Sequence, residues 1–249
     1  MTQTKPASTR GAFIVVEGGD GAGKTTQLDL LESWLSAHDV ACERTREPGG
    51  TPIGERIRTL VLEHGHGEVD PRTEALLFAA SRAAHVVQRI LPALESGATV
   101  LCDRYIDSSV AYQGVGRGLG PEKVAEINGW ATSGLQADLT ILLDVDPTIS
   151  QRRRAGRDGG PGDRMESADD AFRARIREAF RSRAEAEPDR YLVIDADDDV
   201  DAVQRQIRHR VAALIGEPLR AAQPAGSEST DPELNEPELS ESSGEAGLG

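Results

Sequence analysis

Apolar residues follow two rhythms along the chain. Short unbroken runs alternate with longer stretches in which apolar side chains recur every three or four positions. The runs Ala12–Glu17, Thr99–Asp103, Leu139–Val145 and Tyr191–Asp195 are too short for helices, so they read as strands, and Ala41–Arg46, only weakly apolar, is the candidate for a further one. Between them, Thr25–His38 carries Leu28, Leu31 and Leu35 at helical spacing, and Ile53–Glu63 carries Ile53, Ile57, Leu60 and Val61. Asp70-Pro71 pairs a capping side chain with proline at the first helical position and opens a helix to about Ser96. Pro121–Thr132, a helix starting after Asp146-Pro147, Asp169–Glu187 and Val200–Ile215 complete the set.

Strands that alternate with helices predict an α/β domain: a five-stranded parallel sheet covered by helices on both faces. Residues 1–10 read as a polar, flexible leader and residues 11–216 as the domain. Residues 217–249, rich in Ser, Glu, Pro and Gly, read as a disordered acidic tail.

Composition narrows the function. The net charge is −14, and eight acidic residues against Arg220 put half of it in the tail, so general nucleic-acid binding is disfavoured. No run is long enough to cross a bilayer and the leader lacks an apolar core, which predicts a cytoplasmic protein without a membrane partner. Cys42 and Cys102 lie in apolar runs without metal-ligand spacing and read as reduced, buried thiols. Lysine occurs only at 5, 24 and 123, which draws attention to Lys24.

Lys24 closes the run Gly18-Gly19-Asp20-Gly21-Ala22-Gly23-Lys24-Thr25, a full G-x-x-x-x-G-K-[ST] match between a strand and an amphipathic helix. Glycines let the backbone wrap closely and aim N–H groups at phosphate oxygens, and the helix N-terminus adds partial positive charge. The pattern predicts a P-loop NTPase fold in which Lys24 reaches the β- and γ-phosphates of ATP and the Thr25 hydroxyl ligates Mg²⁺. Asp103, at the end of an apolar strand, is the candidate second metal residue.

No asparagine precedes a lysine, so the guanine-reading Asn-Lys-x-Asp run of GTPases is absent. Arg152-Arg153-Arg154, Arg157 and Arg164 instead border a glycine-rich stretch, which predicts a mobile lid over about 152–167 that carries cations to a transferred phosphoryl group. Three consecutive arginines cannot all face one way on a helix, so Arg157 and Arg164 are the leading lid cations, with Arg153 and Arg154 as alternatives to Arg157. On pattern alone, Phe78 reads as a core residue and Arg82 as a surface ion-pairing residue.

Between P-loop and lid, Thr45-Arg46-Glu47-Pro48-Gly49-Gly50-Thr51, Leu76-Leu77-Phe78-Ala79-Ala80-Ser81-Arg82, Asp103-Arg104-Tyr105 with Ser108-Ser109-Val110-Ala111-Tyr112-Gln113-Gly114, Asp138-Leu139-Thr140 and Asp163-Arg164-Met165-Glu166 occur in an order that resembles the thymidylate kinase family, from about Ala12 to Ile215. The resemblance implies transfer of the γ-phosphoryl group of ATP to thymidine monophosphate, giving dTDP and ADP. It implies that Phe78 stacks on thymine, that Arg82, Ser109 and Gln113 read its edge, and that Glu47 and Pro48 shape the wall beside it. Arg58 and Arg104 would clamp the acceptor phosphate, with Arg104 joining Lys24, Arg157 and Arg164 as catalytic cations. Asp20 would accept a hydrogen bond from the sugar 3′-hydroxyl, and Tyr112 would crowd the 2′ position. Gly21 in place of a P-loop arginine matches members that supply the cation from the lid. The family is commonly homodimeric, and the many apolar faces of the 71–96 helix agree with association. Rivals on residues alone are a kinase for another nucleoside monophosphate and an ATP-driven regulatory switch.

Overall fold

A computed structural model describes residues 10–155 and 170–216. Five strands, β1 (Phe13–Glu17), β2 (Cys42–Arg46), β3 (Thr99–Asp103), β4 (Leu139–Asp144) and β5 (Tyr191–Asp195), form one parallel sheet in the order β2-β3-β1-β4-β5. β1 is buried at all five positions because it is central and covered on both sides. Its pleat sends Ile14 and Val16 into one core, with Leu28, Leu31 and Leu35 of α1 (Lys24–Ser36) and Val203, Ile207 and Val211 of the closing helix Val200–Ile215. Phe13 and Val15 face the other way and pack with Val86, Ile90, Leu94 and Tyr105.

The predicted start signals hold. Asp70 Oδ1 accepts from the N–H groups of Arg72 and Thr73 at 3.0 and 3.2 Å, which fixes the start of α3 (Pro71–His85). Thr51 caps α2 (Pro52–Leu62) through Gly54 N–H at 3.0 Å, and Asp146 accepts from Thr148 N–H at 2.9 Å at the head of the helix Pro147–Ala155.

The helix expected from 71 to 96 is helical throughout but not uniform. After α3 it runs through a π-helical stretch, Val86–Ile90, before the α-helical turn Leu91–Glu95. The extra residue per turn rotates the apolar stripe, so Val86, Ile90 and Leu94 are buried while Val87 is 65% exposed. A second departure is the helical segment Ile106–Ser109 that continues as a π-helix, Val110–Gly116, where no helix was expected. Its glycines and short polar residues carry no helical repeat, and burial holds it in place.

Arg10, assigned to the leader, is tied to Asp138, whose Oδ2 also accepts from Phe13 N–H at 2.7 Å. Cys102 is buried but Cys42 is only partly so, because β2 is an edge strand; both are free thiols. No described helix is long and apolar enough to cross a membrane. Residues 1–9, 156–169 and 217–249 lie outside the described residues; they include all but Arg10 of the expected leader, most of the expected lid (about 152–167) and the expected tail.

Candidate active site

The site lies beyond the carboxyl ends of β1 and β3, where the open sheet leaves a crevice between the connections that follow these strands. The chain leaves β1 through the P-loop. Gly18 has φ +136°, and a Cβ there would sit 2.5 Å from the Leu143 carbonyl, so only glycine fits. Gly23, at φ +92°, ends the loop and begins α1, and neither it nor Gly19 has a neighbour where a Cβ would point. The loop thus presents open backbone at a helix N-terminus.

A cavity of about 350 Å³ opens beside it. Asp20, Gly21, Gly23, Lys24 and Thr25 line one end. Glu47, Pro48, Arg58, Phe78 and Arg82 line the other, and Asp103, Arg104, Ser109, Tyr112 and Gln113 lie between. The predicted substrate and metal residues therefore meet around one space. Of the other P-loop residues, Gly18 and Gly19 line a neighbouring cavity with Asp20 and Tyr112, and Ala22 is buried.

Lys24 is buried, and its ammonium donates to the carbonyls of Gly18 and Gly19 at 3.1 and 2.9 Å. Burial and the neighbouring Arg104 push its pKa down to about 8, against the pull of Asp20, Asp103 and Glu17. Arg104 stands at the turn after β3 with φ +69°, and its N–H donates to Val16 O at 3.0 Å. Its guanidinium donates to Gly18 O at 3.1 Å, to Ser108 Oγ at 3.0 Å and to Asp20 Oδ1. Tyr112 Oη donates to the other Asp20 oxygen at 3.3 Å, and the Tyr112 ring lies under Arg104. Asp20, Arg104 and Tyr112 form one interlocked group.

Behind that group is Glu17, which sequence reading missed. Its buried carboxylate accepts from the N–H groups of Tyr105 and Ser108 at 2.8 and 3.1 Å and from Ser108 Oγ at 2.7 Å. Burial and the nearby Asp107 raise its pKa to about 7, opposed by Arg104 and by these hydrogen bonds. A glutamate closing an apolar strand gives no periodic signal. Only the fold shows that it braces the turn bearing Arg104.

At the far end Phe78 is half-buried and lines the cavity, so the simple core reading does not hold. Nor is Arg82 a surface ion-pairing residue: it is 1% exposed, with Nε 2.5 Å from Glu47 Oε2. Ser109 accepts from Arg82 at 3.1 Å, and Gln113 donates its amide N–H to Glu74 at 3.0 Å. Arg58 donates to Pro48 O at 2.9 Å across the cavity rim. Arg157 and Arg164 lie outside the described residues. Of the alternatives, Arg153 is described: it donates to Ala196 O at 2.8 Å, which ties the helix before the lid to the loop after β5.

Asp103 Oδ1 is a buried acceptor with no hydrogen-bond partner in the structure, next to a cavity that also exposes Thr25. An acceptor in that state fits a cation or its water. Among the described residues no three His, Cys, Asp or Glu side chains cluster as a complete metal cage.

A family model described as thymidylate kinase matches residues 16–207. The chain is 52% identical to the thymidylate kinase of Leifsonia xyli over 210 residues, 84% of this chain and 99% of that one. It is 47% identical to that of Cutibacterium acnes over 205 residues, 82% and 98% of the two chains. With that of Deinococcus radiodurans it shares 50% identity over 199 residues, 80% and 95%.

Proposed function

Since the chain belongs to the thymidylate kinase family, we propose that the cavity between Lys24 and Phe78 is where it phosphorylates dTMP to dTDP at the expense of ATP. The protein is an enzyme, an ATP-dependent phosphotransferase of nucleotide biosynthesis. The observation that carries the site assignment is the convergence of P-loop cations and a half-buried aromatic ring on one cavity.

The triphosphate of ATP lies on Gly18–Thr25. Backbone N–H groups and Lys24 take the phosphate oxygens, and Lys24 gives up its Gly18 and Gly19 carbonyls to do so. The thymine ring lies against Phe78, with Arg82 and Gln113 at its edge and Glu47–Pro48 as the wall. Arg58 and Arg104 hold the acceptor phosphate. Asp20, oriented by Arg104 and Tyr112, takes the 3′-hydroxyl, and the Tyr112 ring excludes a 2′ substituent. The acceptor oxygen is already anionic, so no strong general base is required. Rate comes from holding two anions in line and stabilising the charge between them. Lid arginines, Arg157 and Arg164 foremost, complete that shell on closure.

The divalent cation of the reaction is assigned as Mg²⁺, held by Thr25 and Asp103. Held there, it would supply positive charge that offsets the negative charge of the phosphates. Exposed Leu76, Val87 and Trp130, on helices that pack together, support a homodimer. The 11–216 region serves as a single catalytic domain with a lid, working in the cytoplasm. The test is a panel of nucleoside monophosphates in a coupled ADP-release assay with ATP and Mg²⁺. Thymidine monophosphate is expected to be the preferred acceptor; a different preferred acceptor, or ATP hydrolysis with none, would overturn the assignment.

A further inference from the structure

Among the described residues Arg82 is the largest of the fully buried side chains, yet it lines the cavity. A guanidinium offers five N–H donors in one rigid plane. The protein takes four of them. Nε donates to Glu47, Nη1 to both Ser109 Oγ and Asn128 Oδ1, and Nη2 to Tyr105 O at 3.0 Å. Among the described residues, one N–H of Nη2 is left for a ligand.

The clamp is itself braced. Asn128, buried on the helix Pro121–Ala131, donates its amide nitrogen to Val124 O at 2.8 Å, so its oxygen is the atom turned towards Arg82. On the opposite side, Glu47 Oε1 lies 2.9 Å from Nδ1 of His85, which is fully buried. A carboxylate only accepts, so Nδ1 donates to it, and on the other side of the ring Nε2 lies 2.6 Å from the Thr45 hydroxyl. The ring is thus held at both nitrogens and fixes Glu47 against Arg82. A Cβ at Gly50 would lie 2.5 Å from the His85 ring, so glycine there makes room for the brace.

We infer that Asn128 is a specificity-determining positioning residue, with His85 its counterpart behind Glu47: together they aim the uncommitted N–H of Arg82 so that position 4 of a bound pyrimidine must accept a hydrogen bond. Thymine presents a carbonyl there and satisfies the donor. Cytosine presents an amino group, which sets donor against donor and leaves a buried N–H unpaired. This inference rests on the reading of Arg82 as the base-edge reader.

The test compares kcat/KM for dTMP with kcat/KM for dCMP. Asn128→Leu releases one corner of the guanidinium and is expected to lower the dTMP:dCMP ratio about tenfold. KM for dTMP should rise while KM for ATP stays unchanged, a split that a general loss of structure would not produce. Asn128→Asp keeps an acceptor facing Arg82 and should restore the ratio. If Asn128→Leu does not fold, Asn128→Ser, smaller and still polar, carries the same expectation. An unchanged ratio in a folded Leu or Ser variant overturns the inference alone. Absence of dTMP turnover in the unsubstituted protein removes the reading of the cavity and this inference with it.

Discussion

Replacing Lys24 by methionine separates the two things this side chain does. In the free protein the buried ammonium has its pKa displaced from 10.5 to about 8, which corresponds to about 3 kcal/mol against folding with the charge in place. That cost is present in full below pH 8 and is relieved as pH rises from 8 to 10.5, because the unfolded chain then binds the extra proton. Methionine removes the cost but also the two hydrogen bonds to Gly18 and Gly19, each about 1 to 3 kcal/mol for a charged donor. The net lies between about 1 kcal/mol gained and about 3 kcal/mol lost. The unfolding midpoint should therefore fall by no more than about 12 °C, since ~1 kcal/mol shifts a chain of this size by about 2 to 4 °C. Turnover should fall by at least about a thousandfold, because the ammonium meets charge that develops on the phosphates.

The same displacement predicts a pH profile. kcat/KM for ATP reports the free enzyme and should decline above pH 8 as Lys24 loses its proton. Binding a triphosphate restores the charge, so calorimetry at pH 9 in buffers of different ionisation enthalpy should record proton uptake, and Lys24→Met should abolish it. Near-normal activity in the variant would refute the P-loop role outright. A midpoint loss of about 20 °C or more would make Lys24 a structural residue whose absence merely unfolds the loop.

Three further outcomes are expected. Phe78→Ala should raise KM for dTMP about tenfold through lost stacking and leave KM for ATP alone; equal effects on both substrates would place the ring outside the base pocket. Glu17 has its pKa raised from 4.5 to about 7, so its contribution to stability is fully present below pH 4.5 and is lost as pH rises through 7. Glu17→Gln should flatten that loss, worth up to about 3 kcal/mol, in melts at pH 5 and 7.5, and an unchanged difference between the two pH values would discount the burial of the charge. Light scattering should return a dimer mass at micromolar concentration, falling towards the monomer in a Trp130→Glu, Val87→Glu double variant; a monomer in the unsubstituted protein would sink the association.

Elements with a strong repeat or a strong start signal were legible in the chain itself. All five strands, the capped starts at Asp70 and Asp146, and the strand–loop–helix frame of the P-loop come from local pattern and local chemistry. The segment Ile106–Gly116 was not legible, because its π-helical turns change the side-chain period and its glycines argue against a helix. Nor did pattern reveal strand order, which depends on which faces the crossovers cover. In the site, Lys24 and Thr25 could be read from spacing. Phe78 and Arg82 needed the family resemblance, since an aromatic on an apolar helix looks like core. Glu17, His85 and Asn128 act through other side chains 38 to 91 positions away, and no local pattern records such a contact.

The strongly acidic chain nonetheless gathers cations where two anionic substrates must meet, and it does so by pairing each with an oxygen in advance. Lys24 is held by the carbonyls of Gly18 and Gly19, Arg104 by Asp20 and Gly18, Arg58 by the carbonyl of Pro48 and Arg82 by Glu47. The partners differ in kind, and the difference divides the labour. Neutral carbonyls hold Lys24 weakly enough for phosphate oxygens to replace them, since a charged acceptor makes the stronger hydrogen bond. A buried carboxylate holds Arg82, and removing it from that partner would leave both charges uncompensated. Arg82 is therefore a fixed reader that offers a ligand a single donor, whereas Lys24 is an exchangeable group that follows the phosphates. Arg104 stands between the two kinds. It is tied to Asp20, which must itself receive the sugar, so acceptor binding and phosphate clamping draw on the same ion pair and each substrate group is registered against the other.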